Sequence, residues 1–140
     1  MSFLTGMEVA ASGLSAQRTR LDVTASNLAN AETTRTAEGG PYQRRQVIFE
    51  ARRAEDFGRQ LDGAVRRVDV SDIEVDAVTP GRLVYDPGHP DADLEGYVQM
   101  PNVDVVEEMT EMVMASRSYE ANATSFETLK NMAQRALSIG

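Results

Sequence analysis

The sequence contains no cysteine and no tryptophan, and aromatic residues make up only 6% of it. Without cysteine it offers neither a disulfide framework nor a cysteine-ligated metal site. No apolar run approaches about 18 residues, the length that would indicate a membrane-spanning helix. The N-terminus also lacks the Lys/Arg-led apolar stretch of a cleaved signal peptide. We therefore expect a protein that does not span a membrane and that, if it leaves the cytoplasm, is exported without a cleaved signal.

Basic residues are also scarce: 14 stand against 22 acidic ones, giving a formal net charge of −8. A strongly acidic chain argues against nucleic acid as a partner. The charge is uneven, because residues 1–67 carry ten arginines against eight acidic residues, whereas residues 68–140 carry four basic against fourteen acidic residues. This asymmetry favours head-to-tail association between copies, although a solvated acidic face explains it equally well.

Proline and glycine are both absent between Asp104 and Ile139, which predicts one long C-terminal helix. Asp104 and Glu107 have the spacing of an N-cap and its capping-box partner. The acidic residues of the first turns suit the positive end of the helix dipole. Apolar or small residues then recur at spacings of four and three with one break at Lys130, a pattern typical of a helix that buries one stripe: Val105, Met109, Met112, Ser116, Tyr119, Ala123, Phe126, Ala133 and Leu137.

A second helix is predicted at the N-terminus, ending near Asn30–Thr34. Thr5 and Glu8 have capping-box spacing, which predicts the helix start at Thr5. Gly13 is either a tolerated surface glycine or a point of close backbone approach to a neighbour. The stripe expected to face the C-terminal helix is Leu4, Met7, Ala11, Leu14, Leu21, Ala25 and Leu28.

Between the helices, alternating apolar and polar residues predict strands at Tyr42–Ala51, Val65–Val78, Arg82–Tyr85 and Gly96–Met100. The alternation slips at Ser71–Asp72, and Glu55–Leu61 fits either a helical turn or a loop. The predicted fold is α+β, with a coiled-coil-like layer of terminal helices around a small antiparallel β unit. We expect a discontinuous helical domain of residues 1–33 and 101–140, and a β-rich middle region of residues 34–100.

No group of residues indicates an enzyme active site, and no cofactor is expected. His89 is the only histidine, and the Glu107, Glu108 and Glu111 cluster is explained by the helix dipole. Residues 91–102 resemble a calcium loop in placing oxygens at Asp91, Asp93 and Glu95. Asn102 stands where a bidentate glutamate is required, so an acidic turn is the stronger interpretation and a calcium-binding module the alternative.

The C-terminal helix carries more apolar residues than one stripe needs, because Val106, Val113 and Met114 lie outside the 4–3 pattern. Core packing by methionine is the simplest explanation of the methionines. One partner helix covers one stripe, however, so a wider apolar band predicts a second neighbour, most economically another subunit.

Two stretches resemble the signatures of a known family, the flagellar rod and hook axial proteins. Residues 12–30 resemble its N-terminal signature, and Met100–Asp104 followed by Met114–Asn122 resembles its C-terminal one. Gly39–Tyr42 and Tyr85–Asp93 are similar to the middle of one short rod member. The N-terminal positions that carry the resemblance are Leu14, Gln17, Leu21, Asn27, Leu28 and Asn30.

The resemblance implies a structural subunit of the proximal rod of the bacterial flagellar basal body, with no enzymatic activity; another short rod protein is the alternative within the family. It implies polymerisation into a tubular shaft that transmits torque around the export channel. The implied partners are other copies, other rod proteins, the rod–ring adaptor, the MS ring and the flagellar type III export apparatus, and the implied location is the periplasmic rod. Stripes and signatures together predict an assembly interface of Leu14, Leu21, Asn27, Leu28, Asn30, Val105, Met109, Met112, Val113, Tyr119, Asn122 and Phe126.

Overall fold

The computed structural model describes residues 3–53 and 65–139 of the 140-residue chain. Within them the chain forms helix α1 (Phe3–Ala29), strands β1 (Arg45–Arg53), β2 (Arg66–Val75), β3 (Leu83–Tyr85) and β4 (Tyr97–Gln99), and helix α2 (Val105–Ile139). This confirms the α+β class with a long helix at each end. The Glu55–Leu61 segment lies outside the described residues.

The N-terminal end of α1 differs from the prediction. Thr5 already lies inside the helix and is buried, so it cannot be the N-cap. The capping-box pattern predicted the wrong helix start, because a threonine followed three residues later by a glutamate also fits a helix interior when the threonine side chain is buried. At the other end the Ser26 carbonyl accepts both the backbone N–H of Asn30 at 3.1 Å and its side-chain amide at 2.9 Å, which closes the last turn.

The N-terminal cap of α2 is confirmed. Asp104 Oδ1 accepts hydrogen bonds from the backbone N–H groups of Val106 at 2.8 Å and Glu107 at 3.1 Å. These are two of the donors that an α-helix leaves free in its first turn. The Glu107 carboxylate lies 3.6 Å from Arg44 Nη2, in an ion pair that the capping-box pattern does not predict.

Over the described residues, the small antiparallel β unit between the helices is made of two two-stranded sheets, β1–β2 and β3–β4. The register of β1–β2 shifts between Ile48, opposite Asp72, and Phe49, opposite Val70. Ser71 is therefore the extra residue of a bulge, at the position where the alternation in the sequence slips.

The β1–β2 sheet packs along α1. Ser12 Oγ accepts a hydrogen bond from the Val68 N–H at 3.1 Å, and the Arg20 guanidinium lies 6.0 Å from the centre of the Phe49 ring. Helix α1 is therefore covered on one side by this sheet and on another by α2.

The residues that α1 buries completely are not those of the predicted stripe, of which Met7, Leu14, Leu21 and Leu28 are half-buried. Leu4 is 76% exposed, and Ala11 and Ala25 are exposed as well. Small and polar residues are buried in their place, because helix and sheet both approach the α1 backbone closely. The buried residues of α1 are Thr5, Ala10, Gly13, Ala16, Thr24 and Asn27.

Candidate assembly surface and the polar cluster behind it

The contacts of α1 with α2 repeat every seven residues along α1. A Cβ atom on Gly6 would lie 3.1 Å from Leu129 Cδ1, and one on Gly13 would lie 2.8 Å from Asn122 Nδ2. We call this line of contact between α1 and α2 the seam. Two turns beyond Gly13 along the seam, Arg20 forms an ion pair with Glu111. Two turns further still, Asn27 donates a hydrogen bond to Glu108. Gly13 is thus a point of close approach, one of the two interpretations that the sequence left open. The partner it approaches is a side chain of the same molecule.

A group of hydrogen-bonded polar side chains lies at the end of the seam where α1 ends and α2 begins. We call it the polar cluster, and its members are Asn27, Tyr42, Arg44 and Glu108. Asn27 and Glu108 are each only 1% exposed. Asn27 Nδ2 donates to Glu108 Oε2 at 3.0 Å and to the Arg45 carbonyl at 2.8 Å. Asn27 Oδ1 accepts from the Tyr42 hydroxyl at 2.9 Å and the Arg45 N–H at 3.0 Å. One amide side chain therefore ties α1 to α2 and to the start of β1.

The charge of Glu108 is balanced by Arg44, whose Nε donates to Glu108 Oε1. Burial lowers the pKa of Arg44, but the hydrogen bond and the negative charge of Glu108 outweigh it, and the pKa stands above its ordinary value. The guanidinium is therefore charged at every physiological pH. The helix dipole alone does not explain Glu108 and Glu111, as the sequence suggested, because each also has an arginine partner in the fold.

The outer side of α2 presents an apolar band, which we define as Val106, Met109 and Val113. The spacings of three and four place these residues on one face of the helix. All three are exposed, Val106 at 75%. Glu108, two residues from Val106, points to the covered side, so the band faces away from α1.

The twelve residues predicted at an assembly interface differ in how far their side chains are exposed. Val105, Met109, Val113 and Tyr119 are exposed, and Asn27 is buried within the chain. The remaining seven are half-buried: Leu14, Leu21, Leu28, Asn30, Met112, Asn122 and Phe126. The structure brings Asn122 against Gly13 in the α1–α2 seam.

The calcium-like loop is a turn between β3 and β4. Asp93 Oδ1 accepts from the N–H groups of Glu95 at 2.9 Å and Tyr97 at 2.8 Å, and Asp91 pairs with Arg35 at 3.2 Å. The Asn102 amide donates to the Asp76 carbonyl at 2.8 Å, away from the turn. Across the described ranges, no three side chains of the types that bind metals cluster. The calcium alternative is therefore not favoured, and the acidic turn is the better interpretation.

Neither α1 nor α2, over the described residues, has an apolar stretch sufficient to cross a lipid bilayer.

Two models of known protein families match the sequence of this chain. The family model described as "Flagella basal body rod protein" matches residues 7–35, and the one described as "Flagellar basal body rod FlgEFG protein C-terminal" matches residues 94–139. The two matches cover most of α1 and all of α2. The class is that of the flagellar basal-body rod proteins.

Relatives that match over their full length identify the family within this class. The chain is 43% identical to the flagellar basal-body rod protein FlgC of Borreliella burgdorferi, over 99% of this chain and 98% of the relative. It is 44% identical to the proteins of the same name from Escherichia coli O6:H1 and Bacillus subtilis, over 100% of this chain and 99% of each relative. The chain belongs to the FlgC family of flagellar basal-body rod proteins. Another short rod protein of the wider family is therefore not favoured.

Proposed function

We propose that this chain is a structural subunit of the proximal rod of the bacterial flagellar basal body, and that its terminal helices polymerise into the tubular shaft. The apolar band on the outer face of α2 is the observation that carries the proposal. The helices meet each other through small and polar residues and leave large apolar side chains outside. A contiguous apolar band on the surface is typical of a site that another molecule covers.

The surface area supports a partner of substantial size. The chain exposes 10098 Å², whereas a compact protein of 15.3 kDa exposes about 7,100 Å². A permanent interface buries about 1,000–2,500 Å² on each partner, so a surplus of about 3,000 Å² is enough for contacts with more than one neighbour. We infer that the predicted interface residues act in two ways: Val105, Met109, Val113 and Tyr119 contact neighbouring subunits, and the buried and half-buried members hold the helices in position.

Family membership supports a wider proposal about neighbours and export. We infer that neighbours include other copies, other rod proteins, the rod–ring adaptor and the MS ring, and that the chain is exported through the flagellar type III apparatus without a cleaved signal. In this role it transmits torque and surrounds the export channel, and it performs no enzymatic reaction.

The test is complementation of swimming in the source bacterium after deletion of this gene. The Val106→Asp/Met109→Asp variant places two charges in the apolar band, and we expect it to abolish swimming and to leave basal bodies without a rod in electron micrographs. Because both side chains are exposed, the stability of the isolated subunit should change by less than about 0.5 kcal/mol per site.

The matched control is Ser125→Asp/Thr128→Asp, which adds the same charges at exposed polar positions of α2. We expect this control to swim normally. Normal swimming of the Val106→Asp/Met109→Asp variant would contradict the proposal.

A further inference from the structure

Methionine supplies all the sulfur of this chain, which has seven methionines and no cysteine. Any oxidation of sulfur in the protein therefore falls on a thioether. Of the six methionines that the structure describes, three are at least half exposed and three are half-buried. The exposed ones are Met109 at 57%, Met114 at 54% and Met132 at 50%, and the half-buried ones are Met7, Met100 and Met112.

Met109 differs from the other methionines in its position, because it lies in the middle of the apolar band. Val106 precedes it by three residues and Val113 follows it by four, so both lie beside it on the same face of α2. The opposite face of this part of α2 is closed, since Glu108 is 1% exposed and Ala115 is 0% exposed. The free surface of the Met109 side chain therefore lies where the proposed neighbouring subunit would contact α2.

A thioether that is exposed to solvent reacts with peroxides. A sulfur lone pair attacks one oxygen of hydrogen peroxide, the O–O bond breaks and an S–O bond forms. The sulfur loses two electrons to the other oxygen, which leaves as water after taking the proton from the oxygen that is transferred. The product is methionine sulfoxide, which methionine sulfoxide reductases convert back to the thioether.

The sulfoxide changes the apolar band at its centre. It replaces a flexible apolar side chain with a polar one, whose oxygen needs a hydrogen-bond donor when it is buried. The hydroxyl of the next residue, Thr110, is already used, since it donates to the Val106 carbonyl at 2.9 Å. The backbone N–H groups inside α2 are bonded within the helix. A sulfoxide oxygen covered by a neighbour without a donor should weaken each contact about ten-fold.

We infer that Met109 is a reversible oxidation site, and that a subunit carrying the sulfoxide is kept out of the assembled rod until the thioether is restored. The inference rests on the proposed function, because it concerns the surface that the apolar band offers to a neighbouring subunit. The neighbour that covers the band also shields the sulfur from peroxide. The modification therefore acts on the unassembled subunit and not on the finished rod.

The reactivity of Met109 is measured by treating the purified chain with hydrogen peroxide and following each methionine by peptide mass spectrometry. We expect Met109 to oxidise at least several-fold faster than the half-buried Met100 and Met112. In isolated basal bodies treated in the same way, we expect Met109 to oxidise at least several-fold more slowly than in the purified chain. Oxidation of Met109 no faster than that of Met100 and Met112 would overturn the inference.

The effect on assembly is measured with Met109→Gln, which places a polar carbonyl group at the position of the sulfur. The variant is co-expressed with the wild-type chain, and mass spectrometry compares the two in isolated basal bodies and in the unassembled pool. We expect Met109→Gln to be depleted about ten-fold in basal bodies, and Met109→Leu, whose side chain is apolar, to be depleted far less. The matched control is Thr128→Gln, at an exposed polar position of α2, which should be incorporated like wild type.

Incorporation of Met109→Gln in the same proportion as wild type would overturn the inference. If Val106→Asp/Met109→Asp still abolished swimming in that case, the proposed function would stand and only the role of the sulfur would be refuted. Equal oxidation of Met109 in basal bodies and in the purified chain would contradict the proposed function as well. Thermal unfolding of purified Met109→Gln separates assembly from folding: its Tm should match that of wild type, and a clear loss of Tm would show that Met109 serves the fold and overturn the inference.

Discussion

Asn27 of α1 and Glu108 of α2 join the two terminal helices through a hydrogen bond of 3.0 Å between Asn27 Nδ2 and Glu108 Oε2. The residues are 81 positions apart in the chain, and both are almost completely buried. A buried amide makes its hydrogen bonds in one geometry only, whereas apolar side chains tolerate sliding. This bond therefore fixes the register in which α1 and α2 pair, and it does so where β1 is attached.

Replacement of Glu108 should be strongly destabilising. Glu108→Ala removes the acceptor of Arg44 Nε and one of the two acceptors of Asn27 Nδ2, and loss of one partner of a buried ion pair costs about 3–5 kcal/mol. Chemical denaturation followed by circular dichroism measures the change. The control is Glu107→Ala, whose side chain is 62% exposed at 3.6 Å from Arg44 and should cost less than about 1 kcal/mol.

A second substitution separates the charge from the contact. Arg44→Met in the Glu108→Ala background removes the unpaired buried charge and should recover part of the lost free energy of unfolding. Equal losses for Glu108→Ala and Glu107→Ala would contradict this account.

The effect of Gly13→Ala on the free energy of unfolding should depend on whether Asn122 is present. A Cβ atom at Gly13 would lie 2.8 Å from Asn122 Nδ2, so the gain of about 1 kcal/mol in helix propensity of Gly13→Ala is opposed by the displacement of Asn122. In the Asn122→Ala background we expect the full gain of about 1 kcal/mol. A double-mutant cycle of unfolding free energies measures the coupling, and identical effects of Gly13→Ala in both backgrounds would refute the close contact.

The elements of this fold could be predicted from the sequence because each leaves a local signal. Asp104 has a cap's chemistry, and the absence of proline and glycine after it sets the extent of α2. The phase slip at Ser71 marks the bulge in β2. Signals of this kind depend on near neighbours in the chain and need no knowledge of the tertiary structure.

The inner seam and the polar cluster could not be predicted, because their partners are distant in sequence. The leucine stripe of α1 is more prominent than the positions of Gly6, Gly13, Arg20 and Asn27, although these recur every seven residues. One signal was present in the sequence of α1, where two glycines, an arginine and an asparagine recur at heptad spacing, but their partners on α2 follow no such repeat. Local periodicity favours large apolar residues, whereas a helix enclosed by both a helix and a sheet favours small ones.

The turn after β2 should contribute stability that is lost in acid. Hydrogen bonds from the Thr79 hydroxyl and backbone N–H, and then from the Val78 N–H, lower the pKa of Asp76 from its ordinary value of 3.8. A carboxyl whose pKa is lower in the folded state stabilises the fold above the unfolded pKa, and this contribution is lost as pH falls through the folded pKa. The loss is therefore expected below about pH 3.8.

Thr79→Val removes the hydroxyl, whereas Thr79→Ser keeps it. We expect Thr79→Val to raise the Asp76 titration midpoint, followed by carboxyl NMR shifts, toward the ordinary value, and we expect Thr79→Ser to leave the midpoint close to that of wild type. The difference in unfolding free energy between wild type and Thr79→Val should then persist from pH 5 to 7 and shrink as Asp76 becomes protonated. If both variants moved the midpoint equally, the hydroxyl would not be the cause, and the backbone N–H groups alone would account for the low pKa.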